Sequence, residues 1–227
     1  MELMYSCLRI LVHTLVIRPL VRGLLGMNVY GGDQLPAAGP AVIAANHNSH
    51  LDTLLLMSLL PPGKINHVRP AAAMDYFHKG SFVTGLLARL FRVIPVRRAD
   101  INVRDGDPLA GCSRALAEGD ILVIYPEGTR GDPGCMAPFK PGIAHLARRH
   151  PDVPVIPVFI SGLEMVLPRG AYWPVPYVCN VSVGRAIYWQ GDKRKFMDHY
   201  RVEMESLKAS LPHHPVMGPA TNQVTSY

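Results

Sequence analysis

A histidine and an aspartate five positions apart, His47 and Asp52, follow directly after the apolar run Ala41–Ala45. An imidazole can take a proton near neutral pH, and a carboxylate on its second nitrogen fixes the tautomer and stabilises the imidazolium. Five positions on one helix correspond to roughly 140° of rotation, so the two cannot share a helical face. We expect His47 in a loop after a strand and Asp52 in the first turn of the next helix, with Ser49 as N-cap. The pair predicts a general base with its orienting carboxylate.

Two other interpretations of this segment stay open at the level of the residues. A histidine beside an aspartate can form an ordinary structural hydrogen bond. His47, His50 and Asp52 can also converge on a metal, although no cysteine or further histidine cluster completes a ligand shell.

A second polar cluster follows the buried-type strand predicted for residues 121–125. The turn after it carries a carboxylate, a hydroxyl and a guanidinium, at Glu127, Thr129 and Arg130. A helical pattern begins shortly after Lys140, which brings a second cation and free backbone N–H groups to the turn. Arginine as a fork, lysine as a point charge and a helix start together suit a phosphate. The alternative is a solvated turn with a surface ion pair.

These segments fall into four motif blocks that occur in a fixed order. They are N-H-N-S-H-L-D at 46–52, Y-P-E-G-T-R at 125–130, F-K-P-G at 139–142 and V-P-V-I-P-V at 153–158. In these blocks the chain resembles the glycerolipid acyltransferase family typified by 1-acylglycerol-3-phosphate acyltransferases. The resemblance covers residues 35–187. One block departs from the family pattern: where the family commonly has F-V-D-R, this chain reads P-V-R-R at 95–98. Arg98 falls where the resemblance places a phosphate-binding arginine, and Arg97 replaces the usual acid, which makes the acceptor pocket more positive.

The resemblance implies an O-acyltransferase that moves an acyl group from acyl-CoA or acyl-carrier protein to the free hydroxyl of a lysophospholipid. The expected acceptor is 1-acyl-glycerol-3-phosphate, giving phosphatidic acid, and another lysolipid such as a lyso-aminolipid is the alternative. No cofactor is expected beyond the acyl carrier. Two rivals from other classes are a thioester or lipid hydrolase, with Ser49 or Cys135 as nucleophile, and a non-catalytic basic protein that coats anionic membranes.

Under this hypothesis each candidate residue has a role. His47 is the base and Asp52 its partner. Arg130 holds the acceptor's phosphate with support from Arg98 and Lys140, while Glu127 and Thr129 brace the turn and orient the acceptor. By family resemblance, Gly128 is where the backbone approaches the substrate. The N–H groups near Ser49 or Gly128 are candidate donors to the oxyanion.

The composition limits the class of protein and of partner. The 227 residues fit one domain, and the formal net charge of +6 favours anionic partners. No nucleic-acid module is recognisable, and residues 80–96 are amphipathic within a basic stretch at 64–104, which indicates an anionic lipid surface or an ordinary half-buried helix. The four cysteines are far apart and include no C-x-x-C pair, so a reduced, cytoplasmic setting is expected.

The N-terminal residues 1–27 are predicted to form an amphipathic helical membrane anchor. Their uncharged window, 10–17, is far shorter than the ~20 residues that cross a bilayer, and no cleavage site follows. Pro19 is expected to end or kink a first helix and begin a second, giving two short helices in the membrane interface. A helix packed on the protein's own core is the alternative. The expected location is peripheral or monotopic on the cytoplasmic face.

The rest of the chain alternates strands with helices, which predicts a single α/β domain with a mixed central sheet flanked by helices. Its expected limits are 28–211, followed by a disordered tail at 212–227. Predicted strands are 41–45, 65–68, 93–96, 121–125, 155–160 and 178–183. Predicted helices are 51–60, 80–91, 108–117, 142–150 and 194–211.

Overall fold

The computed structural model describes residues 2–49, 51–74, 82–96, 106–129, 131, 136–166 and 177–212. Apolar runs and amphipathic segments alternate along these ranges and form strands and helices in turn. The strands are β1 (Leu25–Tyr30), β2 (Ala41–Ala45), β3 (Val68–Ala73), β4 (Ile94–Val96), β5 (Ile121–Ile124), β6 (Val155–Ser161) and β7 (Tyr177–Val183).

The helices connect these strands. They are α1 (Glu2–Val12), α2 (Arg18–Leu24), α3 (Asp52–Leu59), α4 (Phe82–Leu90), α5 (Ala110–Ala117), α6 (Gly142–Arg149), α7 (Leu163–Val166) and α8 (Lys193–Ser210). A π-helical segment, His13–Ile17, joins α1 to α2, and a 3-10 helix, Pro62–His67, precedes β3.

The strands of the described ranges form one sheet in the order β1-β7-β6-β2-β5-β3-β4. The five strands from β6 to β4 run parallel, whereas β7 is antiparallel to β6, and β1 is parallel to β7. The expected α/β fold with a mixed sheet is confirmed. Because β2 and β5 are adjacent and parallel, the residues that follow both strands meet at one edge of the sheet.

Helices cover both faces of this sheet. Alternate residues of β2 point to opposite sides: Ile43 packs in the core beneath α3, α4, α7 and the N-terminal helix, and Val42 packs beneath α5, α6 and α8. Strands buried on both faces need continuous apolar sequence, and all five residues of β2 are buried. The central strands therefore give a rigid base for the loops at their carboxyl ends.

The N-terminal helix is held to the domain by two buried polar side chains, Arg9 and His13. Arg9 donates to the Leu90 carbonyl and to Asn66 Oδ1 at 2.7 Å, and His13 Nε2 lies 2.9 Å from the Met57 carbonyl. Ile17 and Val21 continue this buried stripe, each four positions further. The outward side is apolar and exposed, through Leu3, Met4, Leu8, Leu11, Leu15, Val16 and Leu20.

Residues Glu2–Gly23 run as one helix of 22 residues, which is long and apolar enough to cross a membrane by length and composition alone. The chain therefore stays helical through Pro19, which lies in the first turn of α2, and a kink at this position stays a prediction. Pro19 has no N–H to donate, and its ring crowds the carbonyl one turn earlier. The π-helical turn just before it is wider than an α-helical turn, as the bond from the Arg18 N–H to the His13 carbonyl shows. This wider turn accommodates both the missing donor and the ring.

Two other expectations about elements differ from the structure, and a third is not tested by it. The helix ends at Leu24 and β1 begins at Leu25, so the anchor limit at residue 27 falls inside a strand. The predicted strand at 65–68 is a 3-10 helix up to His67, because Pro61 and Pro62 favour a tight turn there. The predicted tail lies outside the described residues after 212.

Part of the basic stretch at 64–104 is engaged by the domain itself. Arg69 lies 3.4 Å from buried Asp120, and Arg92 donates to the Asn66 carbonyl at 3.2 Å. Leu90 is buried in the core, whereas Leu86 on the same helix is half exposed. The described side chains of α4 are thus partly buried and partly exposed, so both interpretations of this segment stay open.

Candidate active site

The site begins where β2 leaves the sheet at Asn46. Its side chain is buried and makes two hydrogen bonds to Ile160 on β6: Nδ2 donates to the carbonyl at 2.9 Å, and Oδ1 accepts from the N–H at 2.7 Å. A side-chain amide thus replaces a missing ladder pair at the end of two parallel strands. This contact fixes the backbone immediately before His47.

His47 and Asp52 are in contact, as their spacing predicted. Nδ1 of the imidazole lies 2.8 Å from Asp52 Oδ2, with the histidine side chain 23% exposed and the aspartate fully buried. A carboxylate accepts and cannot donate, so Nδ1 carries the proton and Nε2 is left with its lone pair. Among the described residues, no hydrogen-bond partner occupies Nε2. This nitrogen is available to a substrate hydroxyl.

One oxygen of Asp52 organises the whole loop. Besides His47 Nδ1, Oδ2 accepts from the backbone N–H of Asn48 at 2.8 Å and of Ser49 at 2.9 Å. Three N–H donors converging on one oxygen stabilise a negative charge there. The aspartate therefore holds both the imidazole and the loop that carries it.

The expected N-cap at Ser49 is wrong. Helix α3 begins at Asp52, its N-cap residue is Leu51, and Ser49 Oγ accepts only from the Leu51 N–H, at 3.3 Å, among the described contacts. The Asp52 side chain instead accepts from the backbone N–H groups of Asn48 and Ser49, which precede it in the chain, because a carboxylate accepts more strongly than a hydroxyl. The N–H groups of Ser49 and Gly128 are both engaged, by Asp52 and by the Tyr125 carbonyl at 3.0 Å. Neither is a free donor to an oxyanion in this conformation.

An aromatic ring lies against the imidazole. Tyr125, at the end of β5, stacks on His47 with ring centroids 4.2 Å apart and planes 20° from parallel. Its hydroxyl is 2.8 Å from Thr53 Oγ1 on α3, and burial raises the pKa of this phenol well above its usual value. The imidazole is therefore restrained on one face by the ring and on one edge by Asp52.

Glu127 ties three loops together. It is buried, and its two oxygens accept from the backbone N–H of His47 at 3.0 Å and of Ala137 at 2.9 Å. Burial raises the pKa of this carboxyl above its usual value. Both oxygens have backbone donors, so the geometry agrees with the bracing role expected for Glu127. Its expected role in orienting the acceptor stays a prediction.

The turn after β5 lies next to Lys140. Gly128 has a φ of +70°, and a Cβ at this position would lie 2.8 Å from Lys140 Nζ. The backbone supports this approach, since the Lys140 N–H bonds the Pro126 carbonyl at 2.8 Å and the Gly131 N–H bonds the His47 carbonyl at 2.9 Å. Exposed Thr129 sits on the same turn. The ammonium group of Lys140 thus reaches the edge of the sheet where His47 lies.

Several predicted residues lie outside the described residues. They are His50, Arg98, Arg130 and Cys135. Within the described ranges, no group of three or more potential metal ligands comes together. The arginine contribution to a phosphate site and the cysteine of the hydrolase alternative therefore stay predictions.

Sequence reasoning missed Asn46, Thr53 and Tyr125 as parts of the site. Asn46 is the first residue of the motif at 46–52 and Thr53 follows its last residue, so their proximity to His47 and Asp52 is a signal that the sequence offers. Tyr125 was counted as the last residue of a strand, and its contact with His47 across 78 positions depends on β2 and β5 being neighbours.

Comparisons with known proteins agree with this geometry. A family model described as Acyltransferase matches residues 26–161, more than half of the chain. The 1-acyl-sn-glycerol-3-phosphate acyltransferase alpha of Ovis aries is 35% identical over 142 residues, which cover 61% of this chain and 46% of the relative. The chloroplastic 1-acyl-sn-glycerol-3-phosphate acyltransferase LPAT1 of Arabidopsis thaliana is 31% identical over 150 residues, covering 64% and 38%.

A solved structure shares the fold. The crystal structure of the 1-acyl-sn-glycerophosphate (LPA) acyltransferase PlsC from Thermotoga maritima superposes with a TM-score of 0.69 at 19% identity, covering 91% of this chain and 83% of that one. The aligned part is less than half the length of the curated relatives named above. The family match contains both the His47–Asp52 pair and the turn after β5, and the chain belongs to the acyltransferase family.

Proposed function

We propose that this protein transfers an acyl group from a thioester donor, acyl-CoA or acyl-carrier protein, to the free hydroxyl of 1-acyl-glycerol-3-phosphate, giving phosphatidic acid. The observation that carries the proposal is the 2.8 Å contact between His47 Nδ1 and Asp52 Oδ2, which leaves Nε2 open at the carboxyl end of a parallel strand. The names of the relatives support the acceptor. A different lysolipid acceptor is the alternative, because Arg97 departs from the family pattern.

The reaction needs one base and no covalent enzyme intermediate. His47 Nε2 takes the proton of the acceptor hydroxyl while the oxygen attacks the thioester carbonyl carbon, giving a tetrahedral intermediate and an imidazolium stabilised by Asp52. Collapse breaks the C–S bond, and the leaving thiolate takes the proton back from Nε2. An ester and a free thiol result, and His47 returns to its starting state. The base contributes roughly 10²- to 10⁴-fold, and positioning adds the rest.

The acceptor's phosphate requires cations near this base. Lys140 Nζ lies against Gly128, at the turn that the Gly131 N–H ties to His47. We assign the phosphate to Lys140 together with Arg130 and Arg98. Gly128 has no side chain, so a phosphate has room to approach the backbone next to the Lys140 ammonium group. An arginine would add a bidentate contact to the same phosphate.

The N-terminal helix supports a lipid-facing location. Seven large apolar side chains on its outer side are exposed, whereas Arg9 and His13 face the domain. A helix with such an exposed apolar face suits hydrocarbon better than water, and its charged residues Glu2, Arg18 and Arg22 lie near its two ends. We propose that it lies in one leaflet, monotopic, on the cytoplasmic side where the acyl donors occur.

The test is acyl transfer by purified full-length protein with labelled acyl-CoA or acyl-carrier protein and lysophosphatidic acid in mixed micelles. His47→Ala should lower kcat by at least about 10³-fold, and Asp52→Asn by about 10²- to 10⁴-fold, because a neutral amide does not stabilise the positive charge of the imidazolium that forms. His67→Ala is the matched control, since His67 also pairs with a buried aspartate, Asp120, but lies away from the proposed base.

The products decide between the proposal and its rivals. Phosphatidic acid formed by the wild type and lost in both site variants supports transfer. Free fatty acid as the sole product, with a trapped acyl-enzyme, would establish a hydrolase instead. Wild-type turnover in purified, folded His47→Ala would remove the imidazole from the mechanism.

A further inference from the structure

A small cavity opens on the face of the sheet opposite the N-terminal helix. It lies between α6 and the turn that leads into α8, and its volume is about 130 Å³. Its walls are Ala144, His145, Arg148, Trp189, Gly191 and Lys193. None of these residues belongs to the loops around His47, so the cavity is a separate feature of the molecule.

The cavity is positively charged and lacks acid in its walls. Among the described contacts, neither Arg148 nor Lys193 forms an ion pair with a carboxylate. The two nearby acids are committed elsewhere: Asp107 pairs with Arg149, and Asp192 caps α8 by accepting from the Lys195 N–H at 2.8 Å. Burial, followed by Lys193 and Arg148, lowers the pKa of His145. The guanidinium and ammonium groups are therefore available to an anion.

The start of α8 adds to this excess of positive charge. Lys193, Arg194 and Lys195 occupy the first turn of an 18-residue helix, where the backbone dipole is also positive. Cations at this end of a helix are unfavourable without a compensating anion. Asp192 supplies one such anion by capping the helix, and the start of α8 still carries three cations against this one carboxylate.

The position of the cavity favours a water-soluble anion. Helices α6 and α8 cover one face of the sheet, whereas the lipid-compatible helix packs on the other. At the same time, α6 starts two residues after Lys140, whose ammonium group contacts the turn beside His47. His145 lies only about one to two helical turns further, roughly 5–9 Å along the axis.

We propose that this cavity binds the phosphorylated nucleotide end of coenzyme A, an inference that rests on the proposed acyl transfer and names its donor. Arg148 and Lys193 both line the cavity and can donate to a phosphate that enters it, and half-buried Trp189 supplies an indole against which a purine can stack. The thioester of acyl-CoA is separated from its 3′-phosphorylated ADP by a long flexible arm. A nucleotide held here leaves the acyl end free to reach the sheet edge near His47.

Binding and turnover are measured on the full chain with two donors that differ only in the 3′-phosphate, CoA and dephospho-CoA. Calorimetry with the free carriers needs no catalysis, and the acyl forms give KM values in the transfer assay. For the wild type we expect loss of the 3′-phosphate to raise Kd and donor KM about tenfold, the size of one lost ionic hydrogen bond.

The double variant Arg148→Ala/Lys193→Ala should bind both carriers equally weakly, with kcat and the acceptor KM unchanged. Arg114→Ala is the matched control, because it removes an exposed charge from α5 on the same face without touching the cavity. Thermal melting checks that each variant is folded.

The possible results separate this inference from the proposed function. A tenfold preference for CoA that disappears in the double variant but not in Arg114→Ala supports the cavity. Equal binding of both carriers by the wild type, an unchanged preference in the double variant, or use of acyl-carrier protein as the sole donor overturns it. If CoA binding depends on Arg148 and Lys193 but no donor gives phosphatidic acid, the cavity is a CoA site and the proposed acyl transfer to lysophosphatidic acid is wrong.

Discussion

At the scale of single residues, the site depends on how firmly one imidazole is held. Asp52 fixes its edge, Glu127 fixes its backbone N–H, and Tyr125 covers one of its faces. A base that must meet a lipid hydroxyl gains most from such restraint, because displacement by about 1 Å can cost roughly 10²-fold in rate. With the imidazole restrained by these three residues, Nε2 is held at the open edge of the ring, where a substrate hydroxyl can approach it.

The stacked tyrosine provides a test of this restraint. Tyr125→Phe keeps the ring and removes only the bond to Thr53, so kcat should stay within about threefold of the wild type. Tyr125→Leu removes the flat surface, and we expect kcat to fall about tenfold or more while the acceptor KM changes less than about twofold. Steady-state kinetics measure both values.

The pair of tyrosine variants separates positioning from simple packing. Both should melt within a few degrees of each other, and the pH dependence of kcat should move only in Tyr125→Leu, since that variant alone changes the surroundings of the imidazole. Equal kcat in the leucine and phenylalanine variants would show that stacking does not position His47.

At the scale of elements, the site is built where neighbouring parallel strands end together. β2 delivers Asn46 and His47, β5 delivers Tyr125 and the turn after it, and β6 accepts the Asn46 side chain through Ile160. Open α/β sheets bind ligands at this edge because backbone groups there lack ladder partners. The strand end therefore determines the position of the base.

Asn46→Ala tests this anchoring. The substitution leaves the buried N–H and C=O of Ile160 unpaired, so the free energy of unfolding should fall by about 2–4 kcal/mol, and kcat should fall as well. Chemical denaturation and the transfer assay measure the two effects.

Asn28→Ala is the matched control for this variant. Asn28 on β1 also bridges two strands, through a 2.9 Å bond to Asn180 on β7. This pair of strands lies away from the base. Asn28 is exposed, so we expect a loss of at most about 1 kcal/mol and an unchanged kcat. An Asn46→Ala variant as stable and active as this control would contradict the anchoring role.

Much of this arrangement follows from local sequence. The apolar runs at 41–45, 121–125 and 155–160 predict the central strands to within one residue of their observed ends. The spacing of His47 and Asp52, with a loop before a helix, predicts their contact. These features depend on neighbours in the chain, where periodicity and short-range geometry are informative.

The missed features depend on distant partners. The strand Leu25–Tyr30 contains Gly26 and Asn28 and, among the described strands, pairs with β7 alone, about 150 residues later. The continuous N-terminal helix needs a π turn before Pro19, which periodicity does not reveal. The stacking of Tyr125 on His47 requires knowing the order of the strands. Long-range pairing rather than propensity decides each case.

At the scale of the whole molecule, the two faces of the sheet differ in the partner they suit. One face carries the helix Glu2–Gly23 with its exposed leucines, and the other carries the basic cavity near Arg148. On the proposed function, the lipid acceptor approaches from the first side and the soluble donor from the second, with His47 at the sheet edge between them.

Replacing the outer leucines tests the lipid-facing side. Leu8, Leu11 and Leu15 are 42%, 54% and 64% exposed, so the triple change to glutamine should leave the fold intact. Each buried leucine contributes roughly 1.5–3 kcal/mol in hydrocarbon, so vesicle binding should fall by at least about 10²-fold. Flotation with anionic phospholipid vesicles measures the loss.

Val202→Gln is the control, because Val202 is also 61% exposed but lies on α8, on the opposite face. This variant should float with vesicles as the wild type does. Full flotation of the triple variant would show that the helix is not the lipid contact, and wild-type activity in micelles would confirm that the site is undamaged.

The inward bonds of Arg9 and His13 have a kinetic consequence. A helix pinned to the domain by its polar groups cannot rise or sink on its own, so the depth of the catalytic cleft relative to the headgroups is set once, at docking. On the proposed function the enzyme then searches for its acceptor by lateral diffusion in a plane. Its velocity would follow the mole fraction of lysolipid in the leaflet, and diluting that surface with inert lipid would slow it even at constant bulk concentration.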